Sequence, residues 1–89
     1  MTDVTLLSEP TNYAVVHLHG RAFPGIVFQG DSLNGLISDL KEVAAEANAD
    51  ERAFGLNAVI NHLCDVRSHY EAVLKREGIP LPYSGANGS

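Results

Sequence analysis

The side chains in this chain able to do chemistry are few: His17, His19, His62 and His69, with Cys64 and Asp65 beside the last two. His17 and His19 stand two apart in a segment of strand character, so they point the same way. His62, Asp65 and His69 follow at i, i+3 and i+7 of a helical segment. A metal ion would be their natural ligand, with His17, His19, Asp65 and His69 as the candidate donors. The spacing argues against it, because two helical turns, roughly 10 Å, separate His62 from His69, and no Cys–His or His–Glu framework of recognised spacing is present. Asp65 and His69 equally suit an exposed i, i+4 pair. Cys64 falls in an apolar shoulder and reads as a small hydrophobe. No nucleophile, base and orienting group come together, so the expectation is a non-catalytic protein without a cofactor.

Charge is the stronger signal. The chain carries 6 Lys and Arg against 11 Asp and Glu, a net charge of −5. Between Asp31 and Glu51 stand Asp31, Asp39, Glu42, Glu46, Asp50 and Glu51, opposed by Lys41 alone. Asp39, Glu42 and Glu46 fall at i, i+3 and i+7, a single outward row that suits either a solvated helix face or a docking face for a cationic partner. Arg21 is the only basic residue before Lys41. With Phe23 it forms a second candidate contact point, of residue types common at interface hot spots. Direct nucleic-acid binding is disfavoured by the acidic balance.

Hydropathy patterning supplies the elements that carry these residues. Val4 to Leu7 and Tyr13 to His19 read as strands separated by the turn formers Ser8 to Asn12, and a third short strand follows over 25–29. In the second strand Ala14, Val16 and Leu18 are expected on the core face, with Tyr13, Val15, His17 and His19 opposite. Asp31 or Ser32 is expected to cap a helix over about 32–47. Its apolar stripe is Leu33, Leu36, Ile37, Leu40, Val43, Ala44 and Ala47. Gly35 interrupts it at a cost of roughly 1 kcal/mol relative to Ala, marking close packing or tolerance. Asp50 is expected to cap a second helix over about 51–77, stopped by Gly78-Ile79-Pro80. At roughly 40 Å that helix overhangs a three-stranded sheet, and Val59, Cys64 and Val66 widen its stripe. Overhang and width predict contact with another chain.

Eighty-nine residues make one domain, expected over 1–78, with a proline-spaced and then flexible tail over 79–89. A single cysteine allows no internal disulfide. No signal-peptide pattern opens the chain and no apolar run reaches membrane-spanning length, so a cytoplasmic protein is expected.

The run from Ala14 to Leu33 resembles a family of small uncharacterised bacterial proteins whose signature is approximately A-V-V-x-L-x-G-R-x-F-P-G-x-x-x-Q-G-D-S-L. The segment from Pro24-Gly25 to Gly30-Asp31-Ser32 is also similar to HicB-type antitoxins, which read roughly P-G-x-x-x-x-G-D-[ST]-x-x-E-A there. That likeness implies a small meander backed by a helix and neutralisation of an RNA-cleaving toxin. Gly35-Leu36 replace the acidic residue and alanine usual in that family, and a long helix stands where its strand and DNA-binding segment would be.

The sequence therefore predicts an α+β, two-layer domain: a three-stranded antiparallel meander packed against two helices, dimerising through the long helix or a sheet edge. Its expected role is a small acidic interaction protein, antitoxin- or immunity-like. It would bind a basic protein partner, a toxin in the antitoxin reading, through the acidic face of the first helix. The competing expectation is a dimeric ligand- or metal-binding protein that uses the histidines.

Overall fold

The computed structural model describes residues 4–9 and 13–83. The turn residues 10–12 and the last six residues, 84–89, which the sequence marks as flexible, lie outside that description. Strands β1 (Val4–Leu6), β2 (Val15–Leu18) and β3 (Gly25–Ile26) form an antiparallel sheet in the order β1-β2-β3. Helices α1 (Gly30–Ala45) and α2 (Ala49–Glu77) follow. The α+β meander-and-two-helix architecture is the one the patterning predicts. The third strand is shorter than expected, two residues in place of five. One further bond, from the Val27 amide to the Ala14 carbonyl, prolongs its pairing at 2.8 Å.

The core forms where the C-terminal half of α2 meets the sheet. Val15, Tyr70, Val73 and Leu74 are its buried residues, and Leu7, Ile26, Ile79 and Leu81 pack against them. Val15, expected outward, is fully buried and Leu18, expected inward, is 42% exposed, whereas Ala14 is buried as expected, so within β2 the inward residue is Val15. Alternation alone cannot orient a strand with valines on both faces. The tertiary partner decides, and here Tyr70, Val73 and Leu74 close over Val15. The Tyr70 hydroxyl donates to the Pro24 carbonyl at 2.8 Å inside this core, a bond that satisfies both buried polar groups.

Helix ends also differ from expectation. Asn48, not Asp50, caps α2: its side chain accepts from the Glu51 amide at 2.9 Å, and Asp50 lies inside the first turn. Helix α1 begins at Gly30 with Gln29 as its N-cap and no side-chain cap. Asp31 turns its carboxylate to the Ser32 amide at 2.8 Å. The end of α2 follows the expected stop. Gly78 adopts a left-handed φ of 72°, and the Gly78 and Ile79 amides return to the Lys75 and Leu74 carbonyls at 3.2 and 2.9 Å. This is the paired closure that glycine permits just beyond a helix. It turns Ile79 and Leu81 back onto the core.

Helix α1 contributes no buried residue. It runs antiparallel to the N-terminal half of α2, so the two form a helical hairpin attached to the sheet by the rest of α2. At 29 residues and roughly 43 Å, α2 accounts for most of the 47 Å long dimension of the molecule. The overhang beyond the sheet is thus occupied by α1. No described helix is long and apolar enough to cross a membrane.

Candidate functional site

The two helices meet through a small set of positions. Leu36 and Val43 of α1 face Gly55 and Val59 of α2, and a Cβ at Gly55 would stand 2.9 Å from Val43 Cγ2. Glycine therefore sets the closeness of the hairpin at position 55. Nothing lies within 4 Å of a Cβ at Gly35, so that glycine is tolerated and not required by packing.

On one side of this seam runs a groove of about 270 Å3. Leu36, Val43, Ala58 and Val59 are its apolar lining, and Asp39, Glu42 and His62 its polar one. The sequence places Asp39, Glu42 and Glu46 in one outward row, and all three are exposed. The structure divides that row: Asp39 and Glu42 border the groove, whereas Glu46 turns to the interhelical connection. There one Glu46 carboxylate oxygen accepts from the Asn48 amide at 3.1 Å, and the Glu46 carbonyl accepts from the Arg52 guanidinium at 2.9 Å. The ion pair among the described residues is Arg76 with Glu77, so no described cation pairs with the carboxylates of Asp39 or Glu42, whereas at Glu46 the Arg52 guanidinium stands beside the carbonyl.

His62 joins the groove to the sheet end of the molecule. The Tyr13 hydroxyl lies 3.0 Å from His62 Nε2, and the Tyr13 ring meets both His62 and Phe28 edge-on, at centroid distances of 5.6 and 5.1 Å. Tyr13 has φ of 62°, a left-handed conformation unusual for a bulky side chain. Sequence reasoning missed this Tyr13–Phe28–His62 group. Residues 13 and 62 are 49 positions apart, and neither lies in a motif.

The remaining candidates are dispersed. His17, in β2, and His19, in the turn that follows it, line a depression of about 390 Å3 with Thr5, Leu18, Gly20 and Arg21. His17 Nε2 donates to the Arg21 carbonyl at 2.8 Å. Arg21 and Phe23 are exposed on the turn after β2, and Arg21 forms no ion pair with a carboxylate of α1. Asp65 and His69 are exposed on α2 without the i, i+4 ion pair. His17 and His19 on the one hand and Asp65 and His69 on the other are not brought together, and no three His, Cys, Asp or Glu among the described residues are gathered to hold a metal ion. Cys64 is half-buried, with its sulfur 3.8 Å from an Arg67 guanidinium nitrogen.

An apolar depression of about 390 Å3 lies between Pro24, Ile26, Phe28, Leu63, Tyr70 and Pro82. Beside it the Tyr83 hydroxyl donates to Glu71 at 2.9 Å. Burial, then the bond to Glu71 and the charge of that carboxylate, push the Tyr83 phenol up to about 12, and burial raises Tyr70 as well. Neither phenol is thereby prepared to act as a base near neutral pH.

Comparison with known proteins finds a family match. The model of a family of unknown function (DUF6959) matches residues 1–83. No match is found among curated proteins or among solved structures.

Proposed function

This chain belongs to the DUF6959 family, whose function is unknown, and for it we propose a non-catalytic role as a small acidic cytoplasmic interaction protein, antitoxin- or immunity-like. It binds a basic protein partner through the carboxylate side of the helical hairpin. The observation that carries this reading is that Asp39 and Glu42 are exposed at the groove and form no ion pair with any described cation. The two carboxylates beside an apolar groove suit a lysine or arginine from the partner, whose aliphatic stem covers Leu36 and Val59 while its charged head reaches Asp39 and Glu42. The HicB-type resemblance at Pro24-Gly25 and Gly30-Asp31-Ser32 favours a toxin as that partner.

The test is co-purification of the full chain from its native host, followed by binding measurements with the recovered partner. A basic protein in stoichiometric amount is expected, with affinity that falls as salt rises and is lost in the triple reversal Asp39→Lys, Glu42→Lys and Glu46→Lys. Unchanged affinity in that variant would remove the proposal.

A second reading rests on the depression that His17, His19 and Arg21 share. Three nitrogen-bearing side chains around one hollow suit a small anion, or, at the two histidines, a metal ion. Thermal shift with phosphate, Zn²⁺ and Ni²⁺ separates this from the first reading: stabilisation lost in His17→Ala supports it, and no shift with any of the three removes it.

A further inference from the structure

The side of the hairpin opposite the carboxylates is an uncovered apolar face. In α1, Leu33, Ile37 and Leu40 are 44%, 42% and 40% exposed, and in α2, Leu56, Ile60 and Leu63 are 43%, 45% and 37% exposed. On both helices these residues follow the seam positions by one step: Ile37 after Leu36, Leu56 after Gly55, Ile60 after Val59. One residue is about 100° of helical rotation. In an antiparallel pair, equal rotations in the same sense open to the same side, so the two stripes form one continuous surface. Asp39, Glu42 and His62 lie on the other side of the seam.

The spacing of this surface is that of helix-on-helix packing. Leu33, Ile37, Leu40 and Ala44 step by 4, 3 and 4, and Ala53, Leu56, Ile60 and Leu63 step by 3, 4 and 3, the alternation that presents knobs to a facing helix. A matching hole is already present. A depression of about 230 Å3 is lined by Ile60, Leu63, Cys64 and Arg67, positions i, i+3, i+4 and i+7, which are the four that surround an inserted knob.

We infer that a second copy of this chain covers the face, the two hairpins joining as a four-helix bundle. Three features favour a copy over another occupant. The two stripes are equal in length and built from similar residues, so a two-fold rotation lays apolar stripe on apolar stripe. Neither stripe contains a carboxylate, and the charged residue at the hole, Arg67, is of the opposite sign, so two chains of net charge −5 meet without opposing carboxylates at the contact. Two helices, each about 10 Å wide and side by side over the roughly 24 Å of α1, offer a face of about 480 Å2 in projection, about 960 Å2 for the pair, which is the size of a small, concentration-dependent interface.

Sedimentation equilibrium of the full chain over a concentration series tests this. A mass of twice 9.5 kDa is expected, with a Tm that rises with protein concentration. Leu40→Glu and Ile60→Glu should each raise the dimer dissociation constant at least about 30-fold, the size of an interface hot spot. Gly35→Ala, one step before Leu36 and so on the opposite side, should leave it unchanged. If the glutamate variants lose helicity, hydrogen exchange on the wild type replaces them: amides of 33–44 and 53–63 should gain protection together as concentration rises. A single-chain mass with a concentration-independent Tm overturns the inference. So does a dimer that survives both glutamate substitutions, or one whose concentration-dependent protection falls on β1 or β3.

Discussion

At the scale of single residues, two glycines in the hairpin have opposite meanings that their positions in the sequence do not reveal. A methyl group at Gly35 meets nothing, so Gly35→Ala is expected to stabilise the fold by up to about 1 kcal/mol through helix propensity. At Gly55 the same methyl would press on Val43, a β-branched side chain with little freedom to yield. Overpacking of about 1–3 kcal/mol outweighs the propensity gain there, and Gly55→Ala should lower stability by about 1–2 kcal/mol. Urea unfolding of both variants checks the pair. Tyr83 makes a pH prediction. Its phenol is raised in the folded state to about 12 from an ordinary 10.0, so its contribution is fully present below pH 10.0 and is lost as pH rises to about 12. Stability followed by circular dichroism should fall across that window, and less steeply in Tyr83→Phe. Of the site residues, Asp39, Glu42 and Glu46 were legible as a charged row because i, i+3, i+7 spacing is a local property. The His62–Tyr13 contact was not, because it joins segments through the fold.

At the scale of elements, the sequence signals for helices were strong and the signals for their edges weak. The second helix was expected from residue 51 to 77 and is found at Ala49–Glu77, because a long apolar period and the Gly78-Ile79-Pro80 stop both point to it. Its start was misassigned, since Asn48 and Asp50 are both good caps and only the backbone geometry chooses between them. Asn48→Ala is therefore expected to cost about 1 kcal/mol, and Asp50→Ala a few tenths at most, through the helix dipole. Thermal melts of the two single variants distinguish the cap from its neighbour. In β2 the existence of the strand was readable and its orientation was not, because valines occupy both faces. Val15 becomes the core residue only once Tyr70, Val73 and Leu74 are brought over it.

At the scale of the whole molecule, the chain divides its surface by use. One end is a small sheet sealed by α2 and the returning residues Ile79 and Leu81; the other is a two-helix projection with an apolar face and a carboxylate face. A lone hairpin with so much exposed Leu and Ile is poorly compensated for the conformational freedom it gives up. Dimerisation by the apolar face would remedy that and leave the acidic side of both copies free for a partner. The amino-acid sequence by itself determined the meander, the two helices, their approximate limits and the concentration of negative charge between Asp31 and Glu51. These follow from periodicity, turn chemistry and composition, which act over a few neighbouring residues. Only the tertiary structure decided which face of β2 is inside, that α1 lies along the overhang of α2 and buries none of its own residues, and that Asp39 and Glu42 share a groove with His62. Those outcomes depend on which of several acceptable apolar surfaces finds a partner distant in the chain, and nearest-neighbour patterns do not contain that choice.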